Sequence, residues 1–140
     1  METLAPSTLL RSGLVVDALG TGPVAALHLV GGAALAERTG VPGDLLYGTG
    51  LFMVAYVALL VVLATRKRLP VPLVQFVVVG NFAWALGALG LGVGAGWPLT
   101  GEGVALIAVH AVAVLLFAAV QYLGMRQSRA TVRGRTVPAT

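Results

Sequence analysis

Asp17, His28, Tyr56, Asn81, Trp84, His110 and Gln121 are the side chains with chemical potential inside otherwise apolar stretches. An ionisable group in lipid costs at least about 2.5–3.5 kcal/mol on insertion scales, so such residues face a protein interior and find partners. Asp17 and His28 are eleven residues apart, close to three helical turns, and share a face. His110 and Gln121 repeat that spacing. Trp84 follows Asn81 by three residues and lies beside it on a helix.

Two kinds of chemistry fit this set. One is a cavity or proton-coupled path lined by Asp17, His28, Asn81 and His110, with Trp84 stacking on a ligand. The other is a group of interhelical hydrogen bonds that fix packing, with the Trp84 indole bonded to a neighbour. Such bonds average about 0.6 kcal/mol in lipid but specify register. Two histidines without a His/Glu pair at i, i+4 give no metal ligand set. The glycine-rich stretches lack the Gly-Lys-Ser/Thr ending of a phosphate loop. No cofactor is implied, and the absence of cysteine excludes disulfides and thiol catalysis.

The elements that must position these residues are membrane helices. Of the 140 residues, 58% are hydrophobic and only 10% charged, and the mean hydropathy is +0.95. A soluble domain carries about 25% charged residues. The length allows one domain. A spanning helix needs roughly 20 apolar residues. The expected fold is therefore all-α, a bundle of four transmembrane helices at about 9–36, 46–65, 72–95 and 103–124. They form a domain over residues 1–125, followed by a basic tail over 126–140. Glu2 and Asp17 make the first segment a retained helix rather than a cleaved signal. Gly20-Thr21-Gly22-Pro23 in its middle predicts a kink there, or two half-helices.

The third helix carries a stripe of small residues. Gly80, Ala83, Gly87, Gly90 and Gly94 are spaced three, four, three and four, with Ala88, Gly92 and Gly96 beside them. Small residues let helices approach closely in lipid. The stripe predicts a packing seam, either within the bundle or between copies of the chain.

Charge sets the orientation. Arg11, Arg66, Lys67, Arg68, Arg126, Arg129, Arg133 and Arg135 fall on one side, and only Arg38 on the other, with Glu37, Asp44 and Glu102. The positive-inside rule places both termini in the cytoplasm. Depths at about 1.5 Å per residue then give two polar layers. His28, Tyr56 and His110 lie in the outer half, and Asp17 and Asn81 in the inner half. The net charge of +4 and pI of about 10.4 reflect these membrane-edge residues, not a nucleic-acid surface. Abundant Ala, Val, Gly and Leu, with Lys67 as the single lysine, suggests a bacterial origin.

Three short groups, Val15-Val16-Asp17-Ala18-Leu19-Gly20, Asn81-Phe82-Ala83-Trp84 and Gln121-Tyr122-Leu123-Gly124, give the chain a resemblance to small bacterial four-helix integral membrane proteins with no assigned activity. In architecture it also resembles small multidrug resistance transporters, which carry an essential carboxylate in helix one. That resemblance implies such a role for Asp17, although those proteins use glutamate with an aromatic set that this sequence lacks.

The leading functional expectation is a non-enzymatic protein of the bacterial inner membrane. It would be an accessory or assembly component, with the bilayer and either a second copy or a membrane partner subunit around it. One alternative is a dimeric proton-coupled transporter or channel with Asp17 as the proton or cation site. The other is a membrane-embedded enzyme acting on a lipid or isoprenoid, with Asp17 or a histidine as acid–base group.

Overall fold

The computed structural model describes residues 2–135 and is helical almost throughout. Its elements are β1 (Thr3–Leu4), α1 (Thr8–Val30), α2 (Gly32–Thr39), α3 (Gly43–Thr65), β2 (Leu69–Pro70), α4 (Val71–Gly94) and α5 (Gly101–Arg135). Among the described residues, α1, α3, α4 and α5 are long and apolar enough to cross a membrane. Their outward faces carry large apolar side chains such as Leu19, Val30, Val79, Leu86, Val109 and Leu116. In water such faces would be aggregation sites, whereas in lipid they need no partner.

Three boundaries differ from those expected. The first helix does not break at Gly20–Pro23, because α1 runs through Pro23 to Val30. The break falls at Gly31, whose N–H donates to the Leu27 carbonyl at 2.8 Å while its own carbonyl accepts from Leu35 N at 2.9 Å. A proline removes only one backbone donor, and a membrane helix tolerates that loss. Adjacent glycines, Gly31 and Gly32, weaken a helix more. The last helix does not stop at Gly124 but continues to Arg135, so the basic segment begins as helix. Residues 136–140 of the expected tail lie outside the described residues. The short strands β1 and β2 are the third difference, pairing Thr3 with Pro70 and Leu4 with Leu69 antiparallel.

The long helices form a row, α3 on α1, α1 on α5 and α5 on α4. The end that holds the chain's N-terminus is called proximal here, and the end with the α2 and α4–α5 loops distal. At the proximal end, Leu4, Leu10, Leu14, Leu60, Leu63, Val74 and Val77 form a core that also joins α3 to α4. Ser7 caps α1 by accepting from Leu10 N at 3.1 Å and donates to the Gly124 carbonyl at 2.9 Å, tying α1 to α5. Arg11 donates to the carbonyls of Ala64 and Arg66 at the C-terminal end of α3. At the distal end, Arg38 pairs with Glu102 at 2.9 Å, and Thr100 N donates to the Thr39 carbonyl at 3.1 Å. Gly40 there has φ +74°, and a Cβ on it would collide with the Pro98 carbonyl.

Within one chain, four glycines of the α4 stripe make no close approach. A Cβ at Gly80, Gly87, Gly90 or Gly94 would meet nothing within 4 Å. A Cβ on Gly92 of α4 would meet Ile107 of α5 at 3.2 Å, one on Gly50 of α3 would meet His28 and Leu29 of α1 at 3.0 Å, and a further set of close approaches lies between α1 and α5. There a Cβ on Gly124 would run into the Leu10 backbone, one on Gly13 would come within 3.1 Å of Val120, and one on Gly20 within 3.0 Å of Phe117. Gly124→Val is therefore expected to push α1 off α5 and lower the thermal unfolding midpoint in detergent, at an overpacking cost of about 1–3 kcal/mol. Gly90→Ala, whose added methyl meets nothing within 4 Å, should not lower that midpoint.

Candidate functional site

All four long helices send a polar side chain to one point. Asp17 on α1 is 1% exposed, and Gln121 on α5 is 0% exposed. Asn81 on α4 is also buried, and Tyr56 on α3 half-buried. Asp17 Oδ2 accepts from Gln121 Nε2 at 2.7 Å and Asn81 Nδ2 at 2.8 Å, with the Tyr56 hydroxyl at 3.2 Å. Asp17 Oδ1 accepts from Thr21 Oγ1, one turn further along α1, at 2.9 Å. Asn81 Nδ2 also reaches Gln121 Oε1 at 3.0 Å, and the Tyr56 hydroxyl reaches Asn81 Oδ1 at 2.9 Å. The hydroxyl has one proton for two acceptors. Among the described residues, no buried side-chain nitrogen or oxygen lacks a partner.

The chemistry open to this hub is limited by its closure. Every group bonded to the carboxylate is a neutral donor, and among the described residues no lysine or arginine forms an ion pair with it. Leu14 and Leu10 follow on α1 towards the proximal end, and Leu60 on α3, all at 0% exposure. The hub holds four helices in register, and its carboxylate has no free face for a substrate.

The histidines lie distal to the hub and are paired separately. His28 Nδ1 is 3.0 Å from Thr49 Oγ1 on α3, and Thr49 Oγ1 also donates to the Leu46 carbonyl at 3.0 Å. The Trp84 indole Nε1–H donates to His110 Nε2 at 2.9 Å, joining α4 to α5. The Trp84 ring also stacks on Phe52 of α3, with centroids 5.2 Å apart and planes 9° from parallel. Tyr56, expected in a layer with the histidines, belongs instead to the Asp17 hub. Its hydroxyl stands well beyond its Cα along the side chain, which a depth counted along the helix axis ignores.

Above the Trp84–His110 pair, α3 and α4 part. The gap is a chamber of about 640 Å³, partly open and lined largely by apolar groups. Its walls include Leu46, Met53, Ala83, Gly87, Leu91 and Ile107, and His28, Thr49, Trp84 and His110 supply its polar atoms. Trp97, from the α4–α5 loop, also lines it. Gly80, Ala83 and Gly87 of the expected packing seam thus face open volume. A helix lined with glycine yields space when its neighbour is held off by bulky groups, here Phe52 and Tyr56 against Trp84 and Asn81. A second cavity, of about 50 Å³, lies between the chamber and the hub, lined by Thr21, Tyr56, Asn81, Trp84 and His110 among others. It has room for a water molecule.

The sequence reading missed Thr21 and Thr49. The signal for Thr21 was its position four residues after Asp17, where side chains on one helix meet. For Thr49 only the cross-helix contact with His28 gives its role.

Asp17→Ala and Gln121→Ala are each expected to lower stability, and their effects should be non-additive. A double-mutant cycle by thermal unfolding in detergent should return a coupling of at least about 0.6 kcal/mol, the average for interhelical bonds in lipid. Additivity would mean that the hub does not tie α1 to α5.

Comparison with known proteins gives no match to a family model, a curated protein or a solved structure.

Proposed function

We propose that this chain is a non-enzymatic, multi-pass protein of the bacterial cytoplasmic membrane that holds an apolar molecule in the chamber between α3 and α4, as an accessory component. The chamber carries this reading. Its volume of about 640 Å³ falls within the roughly 300–1,000 Å³ of small-molecule sites, and its few polar groups sit among apolar walls as such sites require. The closed hub supports a structural role for Asp17 over the alternative in which it binds a proton or cation in transport. It likewise weighs against Asp17 as the acid–base group of an enzyme, since the carboxylate stands apart from the chamber wall.

Both termini are cytoplasmic in this reading, because the proximal end carries Arg11, Arg66, Lys67, Arg68, Arg126 and Arg129. The chamber then occupies the outer half of the membrane.

The chain has no cysteine, so single cysteines report topology cleanly. Leu99→Cys should react with a membrane-impermeant maleimide on intact cells, and Ala130→Cys only after permeabilisation. The reverse pattern would invert the orientation. For the chamber, Trp84 fluorescence in a Trp97→Phe background should be quenched saturably by a brominated long-chain alkane. Ala83→Phe, which fills the volume, should remove the saturation. Quenching that stays linear in the unfilled protein would sink the binding reading.

A further inference from the structure

The hydrogen-bonding character of the chamber floor follows from its donors. An indole N–H can only donate. His110 Nε2, which accepts from Trp84 at 2.9 Å, therefore carries no proton. The neutral ring then holds its proton on Nδ1. His110 makes no other side-chain hydrogen bond, and no buried polar side-chain atom among the described residues is unpartnered. Nδ1 is consequently an accessible atom on a ring that lines the chamber. Thr49 is already engaged with the Leu46 carbonyl and His28. His110 lines both the chamber and the smaller cavity, and its free Nδ1–H is the donor that an occupant of the chamber would meet beside Ala83, Gly87, Leu91 and Ile107.

Depth and size narrow the occupant. His110 stands nine residues into α5, roughly 14 Å along the axis at 1.5 Å per residue. A charged head group at that depth is strongly disfavoured, and a neutral one is not. The chamber's volume of about 640 Å³ lies in the range of small-molecule sites.

We infer that the chamber takes a neutral amphiphile, an apolar chain or ring system ending in an uncharged oxygen acceptor, inserted polar end first so that the oxygen accepts from His110 Nδ1–H. This rests on the chamber reading above and adds the chemistry of the ligand.

The test uses the full-length protein in detergent with Trp97→Phe, reading Trp84 quenching by three brominated probes of matched length. These are an alkane, a methyl ketone and a primary alcohol. The ketone and alcohol should bind about threefold to tenfold tighter than the alkane, the range of one net hydrogen bond. Difference infrared spectra should show the ketone carbonyl band shifted to lower frequency on binding. His110→Leu should collapse the ketone-to-alkane ratio towards one, with thermal unfolding checking that the variant is folded. Equal binding of all three probes by the unmutated His110 protein overturns this inference and leaves the chamber intact. It would mean that Nδ1–H serves the small cavity's water instead. A ketone preference that survives in His110→Leu overturns it too, because another group is then the donor. Failure of every probe to saturate removes the chamber reading itself. Co-purification of a polypeptide that blocks all three probes would give the chamber to a protein partner.

Discussion

A carboxylate in the middle of an apolar bundle must be surrounded by donors, and that requirement organises this protein. Asp17 could be satisfied by one nearby cation, but among the described residues no lysine or arginine forms an ion pair with it. It takes neutral donors from α1, α3, α4 and α5 instead. Each bond is modest in lipid. Together they fix the rotation of every long helix about its axis, because turning any one of them would strand a polar atom. Hydrophobic burial cannot do this in a membrane, where lipid is as apolar as leucine.

The rest of the packing divides around that level. Towards the proximal end the bundle is solid, with large aliphatic side chains bridging α3 and α4 and a two-stranded sheet across the end. Towards the distal end α4 still packs on α5, as Gly92 does on Ile107, but a chamber opens between α3 and α4. The hub and the Phe52–Trp84 stack hold α3 and α4 at aromatic distance, and the glycines of α4 leave the opened space unfilled. Small residues therefore have two uses in one chain. Where α1 meets α5 they allow close approach, and on α4 Gly80 and Gly87 border a cavity while Gly92 packs on Ile107.

The pairing of Trp84 with His110 links structure to chemistry. It closes the floor of the chamber and joins α4 to α5. It also determines which imidazole nitrogen carries the proton, since an indole can only donate. A packing interaction thus sets the polarity of the atom that faces the cavity. The proposed preference for an uncharged oxygen acceptor is a consequence of that bond and of the depth at which it lies.

Four apolar segments, a lopsided distribution of arginine and a short set of intramembrane polar residues were legible from the sequence, because they depend on composition and chain position alone. The convergence of Asp17, Asn81 and Gln121 was partly legible, since buried polar groups in lipid must find partners. Which ones pair was not. Tyr56 joined the hub because of the reach of its side chain, and Thr49 gained its role only through a cross-helix contact. Of the kink or two half-helices expected at Gly20–Pro23, the half-helices do not form; the helix ends at Gly31 instead, since a helix surrounded by other helices tolerates one lost donor better than it tolerates paired glycines. The α4 stripe reads as a seam within the bundle or between copies; within the chain Gly80, Gly87, Gly90 and Gly94 meet no neighbour, because close approach depends on what stands opposite a glycine, and no one-dimensional pattern holds that information. Sequence by itself determined four long apolar helices and a buried carboxylate in need of donors. Tertiary structure alone decided which helices touch and where a chamber opens, because both depend on side chains brought together from distant parts of the chain.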